Sequence, residues 1–215
     1  MLRSLAARWP RLRPLLPAAV IAAGWPACTA GDGPLVAFLG DSLTSGWRLR
    51  EDEAYPALVA RALAERGRPV RVLNAGVSGD TAAHALARLP RVLARRPDVL
   101  VVALGANDAL RRGSLDDTGK ALGRIVSDAQ GAGARVLLVG IRLGTGERAP
   151  RVGESAGDAE RAERLAGIHA DLAASRRVGF VPDLLAGVAG EEDLLFPDRL
   201  HPNAAGQQRL AANVL

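Results

Sequence analysis

Short apolar runs alternate with segments of helical periodicity from residue 35 to the end of the chain. Five runs are rich in leucine and β-branched residues and predict strands at residues 35–39, 70–73, 99–104, 135–141 and 178–181. The third and fourth runs are almost continuously apolar, which is typical of parallel strands covered on both faces. The pattern therefore favours a parallel sheet buried between helices.

Between these runs, apolar residues recur at spacings of three and four, which predicts amphipathic helices. These stripes lie within residues 55–63, 82–93, 114–129, 162–172 and 203–214. Strands that alternate with helices are joined by right-handed crossovers, so we expect an α/β fold with a five-stranded parallel sheet and helices on both faces. Ligands bind beyond the carboxyl ends of the strands in such sheets, so the loops at those ends are the candidate site.

The first 30 residues differ from the rest of the chain. Residues 1–13 are basic and carry no acid, residues 14–24 form an apolar run of 11, and small residues follow. This pattern predicts a secretory signal over residues 1–30, and hence an exported protein of the periplasm or the extracellular space. Residues 31–34 are then a linker, and residues 35–215 form one domain. Cys28 follows Ala27 as at a lipoprotein cleavage site, so lipid anchoring and an uncleaved extension both stay open.

Composition and charge exclude several other classes of protein. The chain is 48% apolar and has a net charge of +5. Four positive charges of this excess come from arginines in residues 1–27. The remainder is almost neutral and has no long basic run, so we expect no nucleic-acid partner. No apolar run reaches 18 residues, which argues against a membrane span, and a single cysteine excludes a disulfide scaffold. No His, Cys, Asp or Glu cluster has metal-ligand spacing, so we expect no metal and no other cofactor.

Four segments at the predicted strand ends carry candidate chemistry. They are residues 40–44 (Gly-Asp-Ser-Leu-Thr), 74–80 (Asn-Ala-Gly-Val-Ser-Gly-Asp), 105–108 (Gly-Ala-Asn-Asp) and 198–202 (Asp-Arg-Leu-His-Pro). Taken singly, each has an ordinary structural interpretation as a helix cap or a turn. The proposed topology brings all four to one edge of the sheet.

Together these segments hold the groups that a serine hydrolase needs. The Ser42 hydroxyl requires a base to become nucleophilic, and His201 is the best placed of the three histidines. Asp198 can accept the Nδ1 proton of His201 and stabilise the imidazolium. The Ser42 N–H, the Gly76 N–H and the Asn107 side-chain amide are the candidate donors to a substrate oxyanion.

These four segments resemble the blocks of the GDSL, or SGNH, hydrolase family. The marker residues of that family, Ser, Gly, Asn and His, fall here on Ser42, Gly76, Asn107 and His201. Their order and spacing match across residues 35–215. The resemblance implies a flavodoxin-like three-layer fold and hydrolysis of small ester or thioester substrates through an acyl-serine intermediate, without metal. Within the family, the segments look most like the bacterial periplasmic thioesterase, lysophospholipase and arylesterase group.

Two departures from that group bear on the substrate. Residues 142–148 are polar and glycine-containing where the group usually has a Pro-, Asn- and Tyr-bearing segment along the acyl groove, and Arg199 replaces a small residue. A short acyl or an aryl ester is therefore as plausible as a long acyl chain. We expect substrate contacts from Leu43, Trp47, Leu110 and Gly144, although the first three could equally fill the core.

Two alternative functions stay open on the sequence. The polar loop also suits an esterase of the same family that removes O-acetyl groups from carbohydrate or cell wall. A non-catalytic flavodoxin-like module for phosphate or flavin would fit the fold, because helix N-termini at strand ends bind anions. That second alternative leaves the Asp198 and His201 pair unexplained.

Overall fold

The sheet has the predicted five strands, all parallel. The computed structural model describes residues 33–143 and 156–215 of the 215-residue chain. The strands are β1 (Leu35–Gly40), β2 (Arg71–Gly76), β3 (Val99–Ala103), β4 (Arg135–Val139) and β5 (Gly179–Val181). Their order across the sheet is β2-β1-β3-β4-β5, and every neighbouring pair is parallel. The prediction of an α/β fold built on a parallel sheet is confirmed.

Helices connect the strands, and the five predicted from periodicity are all present. Two further helices have four and five residues, which is too short for an apolar stripe to show in the sequence. In chain order the helices are α1 (Ser42–Ser45), α2 (Tyr55–Glu65), α3 (Ala82–Leu93), α4 (Ala106–Leu110), α5 (Leu115–Gly131), α6 (Ala156–Arg176) and α7 (Ala204–Val214), with 3-10 turns at Glu51–Glu53 and Glu192–Leu194.

The two faces of the sheet carry separate apolar clusters. Successive residues of a strand point to opposite faces, so Phe38 joins the cluster that includes Val59 of α2 and Leu210 of α7. Its neighbour Leu39 joins the other cluster, with Leu89 of α3 and residues of α5. Helices therefore cover both faces, as the three-layer arrangement requires.

The main difference from the predicted strands lies at the end of β2. This strand continues to Gly76, three residues beyond the predicted end, because it pairs with β1 over six positions up to Gly40 opposite Gly76. The Asn-Ala-Gly sequence resembles a loop, but the backbone pairing with β1 extends the strand through it. Asn74 and Gly76 thus belong to the sheet.

Several sequence predictions lie outside the described residues. They are the signal over residues 1–30 with Cys28, the first half of the 31–34 linker, and the Gly144 substrate contact. None of the helices within residues 33–143 and 156–215 has the length and apolar character needed to cross a bilayer.

Candidate active site

Ser42 begins helix α1 directly after the central strand β1. The side chain of Asp41 caps this helix by accepting the Leu43 N–H at 3.0 Å. A Cβ at Gly40 would lie 1.9 Å from the Thr44 Oγ1, so only glycine lets the chain turn this tightly at the strand end. The turn holds the Ser42 hydroxyl at the carboxyl edge of the sheet.

His201 and Asp198 belong to the segment that leads into helix α7. Asp198 Oδ1 accepts the backbone N–H groups of both Leu200 and His201 at 3.0 Å, which closes the segment into a compact turn. Arg199, in the middle of this turn, has a φ of 57° and pairs with Glu192, so its long side chain is engaged away from the histidine. The departure at position 199 therefore leaves the turn intact.

The structure brings Ser42, His201 and Asp198 into one hydrogen-bonded chain. His201 Nδ1 lies 2.8 Å from Asp198 Oδ2, and His201 Nε2 lies 2.9 Å from Ser42 Oγ. Partial burial raises the pKa of Asp198, but hydrogen bonds from the N–H groups of His201 and Leu200 and from the imidazole outweigh it and hold that pKa below its usual value. Asp198 is thus an ionised acceptor, which assigns the Nδ1 proton to the imidazole and leaves Nε2 to accept from Ser42.

Asn107 lies in the short helix α4, after the end of β3. Gly105 precedes this helix with a φ of 112°, a conformation that favours glycine. The Asn107 amide nitrogen donates to the backbone oxygen of Asp80 at 3.0 Å and to Asp41 Oδ2 at 3.3 Å. These two acceptors fix the amide nitrogen toward the floor of the site, beside Ser42.

The structure does not bring the Gly76 N–H into this cluster. That N–H donates to Asn74 Oδ1 at 3.0 Å, and Gly76 is absent from the described residues that line the cavity. A Cβ at Gly76 would lie 2.3 Å from the Ser45 nitrogen, so this glycine allows α1 to pack on β2. The Gly76 N–H thus has another acceptor, and the structure gives no support to its predicted role as an oxyanion donor. Gly79, with a φ of 83°, lines the cavity instead. The Ser-Gly-Asp sequence at 78–80 was the signal that could have identified it.

A layer of buried acidic groups lies below the serine. Burial raises the pKa of Asp41 to about 7, the hydrogen bond from Leu43 opposes this, and the nearby charges of Asp80 and Asp108 raise it further. Asp80 is paired with Arg88 at 2.6 Å, and Arg88 also donates to the Gly40 oxygen at 2.9 Å. The sequence did not predict the Asp80 and Arg88 pair, which only the folded chain brings together.

Ser42, Asn107 and His201 open into a cavity of about 280 Å³ bounded by the described residues. Its wall is largely apolar, and the large apolar side chains that form it are Leu43, Trp47, Leu110, Leu143, Leu185 and Leu200. Three of the four predicted contact residues therefore line the cavity, and the fourth, Gly144, lies outside the described residues.

Leu43 also belongs to the apolar core, so both interpretations of that residue apply. Leu143, Leu185 and Leu200 were not predicted, since isolated leucines carry no such signal.

No group of three or more His, Cys, Asp or Glu side chains within the described part of the chain is arranged to hold a metal ion. The polar groups around Ser42 instead bind one another. The site is thus a serine, histidine and aspartate chain at the sheet edge, with donor groups and an apolar cavity beside it.

The chain is similar to known proteins over most of its length. Residues 38–209 match the GDSL-like Lipase/Acylhydrolase family. Esterase TesA of Pseudomonas aeruginosa is 36% identical over 177 residues, which cover 82% of this chain and 83% of that protein. An arylesterase of Vibrio mimicus is 33% identical over 174 residues, covering 80% and 82%. A crystal structure of TesA superposes with a TM-score of 0.75 at 35% identity, covering 84% of this chain and 95% of that one.

The chain therefore belongs to the GDSL-like lipase/acylhydrolase family. The fold and the similar proteins make it a carboxylic ester hydrolase of the serine type. The SGNH resemblance noted in the sequence is confirmed for the family.

Proposed function

We propose that Ser42 is the nucleophile of this hydrolase, with His201 as general base and Asp198 as its orienting acid. His201 Nε2 takes the proton of the Ser42 hydroxyl as the oxygen bonds to the substrate carbonyl carbon. The tetrahedral intermediate then expels the leaving group, which receives that proton from His201. Water, deprotonated by the same histidine, then attacks the acyl carbon. The bond from that carbon to Ser42 Oγ breaks, Ser42 Oγ regains the proton from His201, and the acid is released. Asp198 keeps the histidine in the required tautomer throughout.

We also propose the donors to the oxyanion that forms during attack. Ser42 is the first residue of α1, and first-turn N–H groups have no acceptor within their own helix. The Gly79 N–H and the Asn107 amide complete the set, Gly79 because it lines the cavity and Asn107 because its amide lies beside the serine. To donate to the oxyanion, one amide hydrogen of Asn107 must leave its 3.3 Å contact with Asp41. The oxyanion is the stronger acceptor of the two.

A single observation carries this assignment. The two contacts of the imidazole, 2.8 Å to Asp198 and 2.9 Å to Ser42, form an unbroken path for the proton at the mouth of an apolar cavity. A flavin- or phosphate-binding module has no need of such a path. The arrangement therefore supports hydrolysis over the non-catalytic alternative.

The cavity supports a substrate with a short acyl chain or an aryl ester. A volume of about 280 Å³ is at the lower end of ligand cavities, and its leucine walls favour an apolar group. The arylesterase of Vibrio mimicus is a relative whose name fits such a substrate. We therefore propose short-chain acyl esters and thioesters and aryl esters as substrates, and the carbohydrate O-acetyl esters stay as the competing class.

Labelling with a fluorophosphonate probe and hydrolysis of a p-nitrophenyl ester series test this proposal together. The wild-type chain should take up one probe at Ser42, and Ser42→Ala should lose both labelling and hydrolysis while its circular dichroism is unchanged. Ser127→Ala, which removes a hydroxyl that bonds to Gly123 in α5, is the matched control and should keep both. Labelling that persists in Ser42→Ala would reject the mechanism. A higher rate on acetylated oligosaccharide than on p-nitrophenyl butyrate would favour the carbohydrate class.

We propose separately that residues 1–30 are a secretory signal and that the protein is exported. The basic, apolar and small-residue pattern of residues 1–30 supports export. Expression in a Gram-negative host, fractionation and N-terminal sequencing test it. Recovery from the periplasm with residues 1–30 removed supports export, and an intact cytoplasmic chain contradicts it.

A further inference from the structure

Trp47 makes an unusual set of contacts at the edge of the active site. Its indole stacks on the imidazole of His201, with ring centroids 4.2 Å apart and planes inclined by 27°. Phe196 meets the indole edge-on at 5.9 Å, and the guanidinium carbon of Arg48 lies 4.2 Å from the indole centroid. One half-buried side chain thus contacts the histidine of the catalytic chain, a second aromatic ring and a cation.

The position of this indole is set by the nucleophile turn. The backbone N–H of Trp47 donates to the Ser42 carbonyl oxygen at 3.2 Å, and Gly46 ends helix α1 with a φ of 72°. A Cβ at Gly46 would lie 2.7 Å from the Ala54 Cβ, so a larger residue could not direct the chain along this path. The serine and the ring that stacks on its base are therefore held by the same six residues, 42–47.

The stacking constrains a motion that the hydrogen bonds of His201 leave free. The contacts to Asp198 and Ser42 fix the two ring nitrogens, but they allow the ring to rock about the line that joins those atoms. A flat aromatic surface against the face of the imidazole blocks that rocking. The imidazolium formed during attack is also attracted to the indole face, an attraction that the Arg48 guanidinium partly offsets.

We propose that Trp47 is a positioning residue that fixes the ring plane of His201. This inference rests on the proposed function, in which His201 is the base. It gives Trp47 a role beyond lining the cavity: the indole orders the base for proton transfer, while the adjoining leucines only bind the acyl group.

Trp47→Leu, Trp47→Phe and Leu110→Ala separate these roles through the split between kcat and KM on p-nitrophenyl acetate. Misplacement of a catalytic group by about 1 Å costs about 100-fold, so we expect Trp47→Leu to lower kcat by about 10- to 100-fold. Trp47→Phe keeps a stacking ring and should recover most of that loss. Leu110→Ala is the matched control, because it removes a cavity wall and should raise KM with little change in kcat.

The kinetics of these variants decide the question. A loss in Trp47→Leu confined to KM, or a Phe variant as poor as the Leu variant, overturns the positioning role. Should Trp47→Leu fail to fold by circular dichroism, Trp47→Met replaces it as the non-aromatic variant of similar length. Ser42→Ala in the same assay separates the two proposals: activity that survives in it rejects the mechanism itself, whereas an inactive Ser42→Ala with unaltered kcat in the Trp47 variants rejects only this inference.

Discussion

The side-chain amide of Asn107 donates to Oδ2 of Asp41, the residue immediately before Ser42, at 3.3 Å. The same amide donates to the backbone oxygen of Asp80, whose carboxylate is held by Arg88. Two donors proposed for the oxyanion, the Ser42 N–H and the Asn107 amide, are thus connected below the cavity floor. Changes to this polar network should affect both activity and stability.

Asn107→Ala tests the donor at the centre of the network. Loss of one oxyanion donor typically lowers turnover by about 10²- to 10³-fold, so we expect that loss in kcat with a much smaller change in KM. Steady-state kinetics on p-nitrophenyl acetate measures it. Asn213→Ala is the control, because that amide caps the carbonyls of Leu184 and Ala186 outside the cavity, and it should leave kcat unchanged. A loss below tenfold in Asn107→Ala would remove this residue from the oxyanion site.

Asp198→Asn tests the orienting acid. An amide at this position can donate to Nδ1, which stabilises the tautomer that cannot accept the Ser42 proton. We therefore expect kcat to fall by up to about 10⁴-fold while the protein stays folded. Asp193→Asn, a nearby exchange on the Glu192–Leu194 turn, serves as control and should keep full activity. Equal rates for the two variants would assign the orienting role to another residue.

Asp41→Asn tests the buried carboxyl through the pH dependence of stability. The pKa of Asp41 is about 7 in the folded protein against 3.8 for an ordinary aspartate. The folded state therefore holds a proton that the unfolded state has released, so the free energy of unfolding falls as the pH rises from about 4 to about 7. Above that pH range, the free energy of unfolding is lower by at most roughly 4 kcal/mol.

Asparagine cannot ionise, so the Asp41→Asn variant should lack this decrease. Urea unfolding at pH 5 and pH 8 measures it, and the variant should gain stability relative to wild type on going to pH 8. Asp128→Asn, which changes an exposed carboxylate on α5, should follow the wild-type curve. Parallel pH dependences for wild type and Asp41→Asn would contradict the raised pKa.

Arg88→Met tests the largely buried ion pair. The side chains of Arg88 and Asp80 are 21% and 11% exposed, so loss of the guanidinium leaves a carboxylate with little solvation. We expect the free energy of unfolding to fall by about 3 kcal/mol. Arg124→Met breaks an exposed pair with Asp128 and should cost about 0.5 kcal/mol or less. The double variant Arg88→Met/Asp80→Leu should recover part of the lost free energy of unfolding. Equal losses in Arg88→Met and Arg124→Met would contradict the idea that burial makes the Arg88 and Asp80 pair more important.

The sequence predicted the sheet and the grouping of Ser42, Asp198 and His201 because both leave periodic or compositional signals. The almost unbroken apolar runs at β3 and β4 are typical of strands covered on both faces. Ser42 and His201 could be paired because each lies next to the carboxyl edge of that sheet, although 159 positions separate them in the chain.

The difference between the predicted and the observed position of Gly76 has a physical explanation. Two glycines lie three positions apart after the apolar part of β2, and both are required, one for close packing and one for a positive φ. Sequence alone does not say where β2 ends, and that end decides which glycine faces the cavity. The contacts of Trp47 could not be predicted from the sequence either, because its stack with His201 joins segments that only tertiary folding brings together.

The cavity wall comes from segments that are remote from one another in the chain. Leu110 ends α4, Leu143 follows β4 and Leu185 follows β5, whereas the proposed proton path depends on the two short turns that carry Ser42 and His201. Much of the substrate range is therefore encoded at positions separate from those turns. Directed evolution of this scaffold can diversify these three leucines in combination while leaving both turns untouched.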